Sequence, residues 1–260
     1  MTTRKTALVT GSTSGIGLAV ATAMAQAGMN VVLNGFGDPA AIESVRADLE
    51  SNYGVTVLYH GADMSKPDEV RALCQKALDT FGAVDVLVNN AGIQHVSPIE
   101  SFPEEKWDAI LAVSLSSAFH TCKALVPGMR EKGWGRIVNI GSIHSLVASA
   151  NKAAYVATKF GLLGLTKVVA LETAKDNITC NCVCPAYVDT PLVRNQIPGQ
   201  AKTHGIPEED VIEKIMLAPQ PVKKLVAPAD LAAFVLFLCS DAGQNITGAA
   251  LPVDGGWTAQ

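Results

Sequence analysis

The chain has 260 residues, of which 48% are hydrophobic, 5% aromatic and 17% charged. That composition supplies a buried core for a large domain and excludes a disordered chain. Lys+Arg 20 against Asp+Glu 24 give a formal charge of −4, without the basic balance that a nucleic-acid surface needs.

Residues 1–5 run directly into Thr6-Ala7-Leu8-Val9-Thr10, too short and too strand-like for a secretory signal. Strands are predicted at 6–10, 30–34, 55–59, 84–89, 136–140, 178–183 and 249–253. They are nearly continuous in apolar residues, as strands buried on both faces should be. Helical patterns lie between them at 16–26, 40–51, 67–80, 107–131, 152–174 and 228–239. This alternation predicts one domain over 1–260: α/β, a doubly wound seven-stranded parallel sheet with helices on both faces. Residues 190–218 break the pattern, being more polar and carrying Pro191, Pro198 and Pro207. They follow a strand and so sit at the carboxyl edge of the sheet, as a lid over a site or as a surface insertion.

The longest compact apolar run, 231–239, is far below the roughly twenty residues of a membrane span. Six cysteines in this length do not make a disulfide scaffold. A reduced, cytoplasmic protein with no membrane or nucleic-acid partner is expected. Cys180, Cys182 and Cys184 share one strand face with no nearby completing ligand, which makes them buried small hydrophobes and not a metal site.

The first strand runs into Thr10-Gly11-Ser12-Thr13-Ser14-Gly15-Ile16-Gly17 and then a helix. Gly11 permits the sharp turn, Gly15 removes a side chain where backbone approaches a pyrophosphate, and Gly17 lets helix pack on strand. The helix N-terminus adds unpaired N–H groups and the positive end of a dipole. Gly11, Thr13, Ser14, Gly15, Ile16 and Gly17 are thus candidate cofactor-binding residues.

The G-x-x-x-G-x-G spacing resembles that of the short-chain dehydrogenase/reductase family, and the resemblance covers essentially the whole chain. It implies a Rossmann-like fold and a nicotinamide dinucleotide. Asp63 stands where that family places an Asp near the adenine, and Asn89-Asn90-Ala91-Gly92 resembles its N-N-A-G motif, adding Asn90, Ala91 and Gly92 to the cofactor set. The end of the second strand, Leu33-Asn34-Gly35-Phe36-Gly37-Asp38, should read the adenine ribose. No Arg or Lys lies between Val31 and Val45 or in the glycine loop. A ribose 2′-phosphate needs cationic donors, so NAD is expected over NADP. The usual acidic selector is missing unless Asp38 serves, and Phe36 either walls the adenine pocket or belongs to the core.

Ser142, Tyr155 and Lys159 form S-x(12)-Y-x-x-x-K, which resembles the family's catalytic pattern. Tyr155 and Lys159, four apart on a predicted helix, share a face. A free phenol, with a pKa of about 10, is a poor base at neutral pH, and a nearby ammonium favours its ionised form. Tyr155 can then take the alcohol proton as hydride leaves carbon, while Ser142 holds the substrate oxygen. The resemblance also places Lys159 and Tyr155 against the cofactor. Val188 and Thr190, in a stretch resembling P-G-x-V-x-T, are expected beside the nicotinamide carboxamide. The family's further catalytic Asn is replaced by Ser114, which implies an altered proton relay.

Within the family, four stretches resemble bacterial D-3-hydroxybutyrate dehydrogenases: 90–95, 146–152, 190–196 and 254–260. The resemblance implies a small carboxylate held by Gln94, His144, Lys152 and Gln196, with Ser142 and Tyr155 at the hydroxyl end. Tyr187 and Trp257 are expected to shape the wall around the terminal methyl. The implied activity is NAD-dependent interconversion of D-3-hydroxybutyrate and acetoacetate by a homotetramer, with no metal. The alternatives are a reductase of 3-oxoacyl thioesters and a nucleotide-sensing homologue weak in catalysis.

Overall fold

The computed structural model describes residues 4–259; the N-terminal expectation for 1–3 and the resemblance at Gln260 lie outside the described residues. In chain order the strands are β1 (Thr6–Val9), β2 (Asn30–Asn34), β3 (Val57–His60), β4 (Val86–Asn89), β5 (Gly135–Ile140), β6 (Ile178–Pro185) and β7 (Ala250–Val253). The helices are α1 (Gly15–Gln26), α2 (Pro39–Tyr53), α3 (Pro67–Phe81), α4 (Glu104–Leu111), α5 (Ser117–Lys132), α6 (Ala153–Thr173), α7 (Pro191–Arg194), α8 (Ile197–His204), α9 (Glu208–Val211) and α10 (Pro228–Leu238). The seven strands form one parallel sheet in the order β3-β2-β1-β4-β5-β6-β7, as the alternation predicts. The order reverses between β1 and β4, and at such a switch point the connecting loops diverge and leave a crevice.

The period-two alternation of strand side chains builds a core on each face. Ala7, Val9, Val31 and Leu33 pack with Val20 and Met24 of α1 and with Leu231 and Val235 of α10. Leu8, Val32, Leu87 and Ile137 face the other way, onto Leu73 of α3, Leu125 of α5 and Val169 of α6. Each Val, Leu, Ile or Met side chain so buried contributes about 1.5–3 kcal/mol of transfer free energy.

The predicted helix over 107–131 is not continuous. One turn of wider π-type helix over Ala112–Ser116 separates α4 from α5. Helical periodicity in the sequence does not register this change, because both sides keep the same apolar face. Glu104–Lys132 and Ala153–Asp176 are also long enough and apolar enough to cross a bilayer by length and composition, with mean hydropathy 1.5 and 1.4. Lys123 and Lys159 interrupt them and so hid them from a search for unbroken runs. In the structure Leu125 and Met129 of the first, and Val169 and Ala170 of the second, pack on the sheet.

All six cysteines are free and buried. Burial pushes the thiols of Cys74, Cys122 and Cys239 up to about 12, as for small core side chains.

A buried polar chain ties α6 to the sheet. Asn89 donates to Asn139 Oδ1 (2.8 Å), Asn139 donates to Thr166 Oγ1 (2.8 Å), and Thr121 donates to Asn89 Oδ1 (2.7 Å). Every link joins a different pair of elements among β4, β5, α5 and α6. Removing one member strands the others without water. Asn139→Ala is expected to lower stability by about 2–3 kcal/mol in equilibrium urea unfolding.

Candidate active site

The turn after β1 is held from two sides. Gly11 (φ +62) and Gly15 (φ +56) adopt left-handed conformations. The Gly11 N–H donates to Asn34 Oδ1 (3.2 Å), and Asn34 Nδ2 donates to the carbonyls of His60 and Ala62 (both 3.0 Å). One buried side chain at the end of β2 therefore joins the glycine turn to the end of β3. From the other side, Asn90 Nδ2 donates to the carbonyls of Thr10 and Gly11 (both 2.9 Å). Thr10 Oγ1 accepts the N–H groups of Asn90 and Ala91 (both 3.0 Å). A Cβ at Gly17 would lie 2.2 Å from the Gly11 carbonyl oxygen and 2.5 Å from Asn90 Nδ2. Gly17 is thus required by the turn itself, and not only by helix-on-strand packing.

A cavity of about 360 Å³ opens beside this turn. Among the candidate cofactor residues, Gly11, Thr13, Ser14, Gly15, Ile16, Phe36, Asp63, Asn90, Ala91, Gly92, Lys159 and Thr190 line it. Gly17, Tyr155 and Val188 are outside the lining. Gly17 lies behind the turn, and Val188 is buried in a bridge to Val226 with its carbonyl accepting the Thr190 hydroxyl (3.3 Å). Asn34, Ile93, Val113, Ile140 and Leu192 also line the cavity without having been singled out. Asn34 had a signal, a polar residue ending an apolar strand; the others reach the cavity only through the fold.

At the tip of β2 two expectations resolve. Phe36 is 67% exposed and walls the cavity, so it is not core. Asp38 is the N-cap of α2, its carboxylate accepting the Ala41 N–H (2.9 Å), and it is not in the cavity lining. The tip is held by Thr13 Oγ1 donating to the Phe36 carbonyl and Tyr59 Oη donating to the Gly35 carbonyl, both at 2.9 Å. The Ser65 hydroxyl and N–H donate to Asp63 and hold its carboxyl below the usual range, aided by Lys66.

At the other end of the cavity, Lys159 is buried and donates to the Ile140 carbonyl at the end of β5 (2.7 Å). Its Nζ lies 5.5 Å from the Tyr155 ring centroid, so the two residues share a face of α6 as their spacing requires. Ser142 follows β5 with extended backbone, and its N–H donates to Ser145 Oγ (3.3 Å). Ser114 is buried in the π turn, and among the described residues its hydroxyl has no hydrogen-bond partner. The position of a Cβ on Gly92 is 3.4 Å from Ser114 Oγ and 3.9 Å from Lys159 Nζ, so both groups border one small space.

Beside Tyr155 stands a polar group. Lys152 Nζ is 3.3 Å from His144 Nε2 and 6.0 Å from the Tyr187 ring centroid. The His144 and Tyr155 rings meet edge to face at 6.1 Å, and the Tyr187 and Trp257 rings lie 6.2 Å apart. His144, Lys152, Tyr155, Tyr187 and Trp257 are thereby brought together. Among the described residues no hydrogen bond or ring contact joins Gln94 or Gln196 to them. Gln196 donates instead to the Leu192 carbonyl (2.9 Å), and Gln94 follows Ile93 of the cavity wall. Asn151, within the 146–152 stretch but given no role there, precedes Lys152 with φ +63, and its carbonyl accepts the Ser97 N–H (2.9 Å). Burial lowers the pKa of the His144 imidazole, and Lys152 lowers it further; burial also lowers that of Lys152. Burial raises the Tyr187 phenol, with Tyr155 adding to the effect.

Residues 11–258 match the family model described as enoyl-(acyl carrier protein) reductase. The chain is 54% identical over 256 residues to a D-beta-hydroxybutyrate dehydrogenase of Rhizobium meliloti, covering 98% of this chain and 99% of that protein. It is 52% identical over 256 residues to the D-beta-hydroxybutyrate dehydrogenase of Cupriavidus necator, covering 98% of each. The crystal structure of L-sorbose reductase from Gluconobacter frateurii, complexed with NADPH and L-sorbose, is similar with a TM-score of 0.93 and 32% identity, covering 99% of this chain and 98% of that one. The chain belongs to the short-chain dehydrogenase/reductase family. It is accordingly an oxidoreductase of that family, working on a small molecule with a nicotinamide cofactor.

The cavity suits such a cofactor. The glycine turn and the N-terminus of α1 offer backbone N–H groups without side chains, as a pyrophosphate requires. Gly17→Ala is expected to weaken nicotinamide dinucleotide binding at least about tenfold in a fluorescence titration, because the added methyl forces the turn to move.

Proposed function

We propose that this enzyme oxidises D-3-hydroxybutyrate to acetoacetate with NAD, reversibly. The observation that carries this reading is Lys152, grouped with His144 immediately beside Tyr155. An ammonium there holds a carboxylate within reach of the phenol that handles the hydroxyl proton. The 54% and 52% identities to two D-beta-hydroxybutyrate dehydrogenases support the same substrate.

The residues divide the work. Bound NAD supplies the hydride acceptor. Gly11, Thr13, Ser14, Gly15, Ile16 and Gly17 form the pyrophosphate turn, Phe36 and Asp63 flank the adenosine, and Asn90, Ala91, Gly92, Val188 and Thr190 flank the rest. Tyr155 takes the hydroxyl proton, and Lys159 stabilises the phenolate from one helical turn away. Ser142 donates to the substrate oxygen, Lys152 binds the carboxylate, and Tyr187 and Trp257 wall the methyl. Two anchored ends fix which face of C3 is presented. Residues 190–218 act as a lid, with Gln196 and Gln94 completing the grip when the substrate is bound.

NAD is favoured over NADP by the charges at the adenosine end of the cavity. Among the described residues, the charged groups lining the cavity are Asp63 and Lys159, and Lys159 is at the catalytic end. Lys66 Nζ lies 3.7 Å from Asp63 but is not in the lining, so among the described residues the adenosine end presents a carboxylate and no cationic donor to a 2′-phosphate. The exposed apolar residues Phe119, Phe160, Val168 and Leu171 on α5 and α6 support the homotetramer that the resemblance implies, and six free thiols suit a reducing cytoplasm.

With NAD and each enantiomer of 3-hydroxybutyrate, NADH absorbance is expected to rise with the D form; no rise with either enantiomer overturns the assignment. Lys152→Ala is expected to raise KM for D-3-hydroxybutyrate at least about tenfold, leaving the NAD dissociation constant within about twofold. Ser114→Asn, restoring the family's amide beside Lys159, is expected to raise kcat; an unchanged kcat assigns the serine no part in the proton relay.

A further inference from the structure

The apolar residues of 190–218 form a cluster of their own. Val193, Ala201, Val211 and Met216 pack together, with Ile197, Ile206 and Leu225 around them. The segment is therefore a small body with its own core, and two stretches of chain carry it. They run side by side: Val188 bridges Val226, the Asp189 N–H donates to the Val226 carbonyl (2.9 Å), and the Val226 N–H donates to the Tyr187 carbonyl (2.9 Å). Where the chain leaves this stalk it makes α7, a single turn of four residues. One turn is too short to persist by itself. Three devices hold it. Thr190 Oγ1 accepts the Val193 N–H (3.4 Å), Pro191 presets the first helical position, and Arg194 reaches back to Asp189. The last contact is a fork: Nε donates to Asp189 Oδ1 (2.7 Å) and Nη2 donates to Oδ2 (2.8 Å). Most exposed ion pairs contribute little, but two parallel bonds fix an angle as well as a distance.

This short turn stands between the small body and the cofactor cavity. Val193 belongs to the body's core, while Thr190, Pro191 and Leu192 line the cavity. A Cβ on Gly15 would lie 3.5 Å from Thr190 Cγ2, so the start of α7 reaches across to the glycine turn. A molecule filling the cavity from Asp63 to Lys159 then has the glycine turn on one side and α7 on the other. We propose that Arg194 and Asp189 are positioning residues for the dinucleotide: their fork latches α7 across the bound cofactor, and the latch must open before the cofactor leaves. Neither side chain is in the lining, so both act through the placement of Thr190, Pro191 and Leu192. Without the fork, α7 keeps its Thr190 cap but is free to tilt on the stalk. The inference rests on 190–218 being the lid of the dinucleotide site, and it makes no use of the identity of the substrate.

Stopped-flow fluorescence tests this by following the release of NADH, displaced by excess NAD with no hydroxy acid present. Arg194→Gln and Asp189→Asn are each expected to speed release about threefold to fivefold. Arg194→Lys, which keeps the charge but not the fork, is expected to fall between the parent and Arg194→Gln. The double variant is expected to release no faster than the faster single one, because both residues act through one contact. Salt at about 0.5 M is expected to speed the parent and narrow its difference from Arg194→Gln. Unchanged release in both single variants, or effects that multiply in the double variant, overturn the proposal. Thermal melting of the cofactor-free proteins separates a latch from general loosening. Every variant is expected to melt within about 3 °C of the parent, and melting temperatures that fall in step with faster release overturn the latch. A parent that binds neither NADH nor NADPH removes the cofactor reading and the latch with it. A parent that shows these release differences but oxidises no 3-hydroxybutyrate sinks the substrate assignment and leaves the latch standing.

Discussion

A buried ammonium bonded to the last carbonyl of a central strand sets the geometry of this molecule. Lys159 donates to the Ile140 carbonyl, and that single contact fixes the rotation of α6 over the end of β5. Once the rotation is set, Tyr155 one turn earlier must face the same space, and Lys152 at the start of the helix must lie beside it. The polar chain Asn89, Asn139 and Thr166 holds the same helix against β4 and β5 from beneath. A charged group with so little water around it tolerates little drift, because moving away from its acceptor leaves the charge uncompensated. Catalytic geometry and fold stability are therefore carried by the same contacts.

The sheet explains why the site lies where it does. Parallel strands covered on both faces leave polar side chains room mainly at the strand ends. Asn34, Asn89 and Thr10 occupy such ends, and each is buried. Asn34 and Thr10, together with Asn90, bond to loop backbone, while Asn89 bonds to Asn139 and Thr121, so the turns after β1, β3 and β4 form one rigid rim. The N–H groups of α1 and the side chains of α6 then meet across the crevice at the reversal of strand order. The grip around His144 is a second rim built on the first, since Asn151 connects it to the loop after β4 through Ser97.

Much of this is legible in the residues alone, for a local reason. Strand runs, the glycine turn and the Tyr155–Lys159 spacing each depend on neighbours within a few positions, where dihedral preferences and helical period act directly. Asp38 shows the limit. An acidic residue after a strand suits a ribose or a helix cap equally well, and the Ala41 N–H shows the cap, a contact the sequence does not single out. The break at Ala112–Ser116 is a second case, since the π turn leaves the apolar periodicity on either side intact. Gln196 is a third: its amide is bonded within its own segment, and nothing in its sequence position distinguishes that from a ligand contact.

The order of residues by itself determined the alternating strands and helices, the cofactor turn and the face of α6 that carries the chemistry. Only the tertiary structure decided that Asn34 bolts two strand ends together, that Val188 is held in a bridge to Val226, and that His144 stands 3.3 Å from Lys152. Those features rest on contacts between segments far apart in the chain. A side chain's hydrogen-bond partner, and hence its protonation and role, is settled by what the fold brings opposite it.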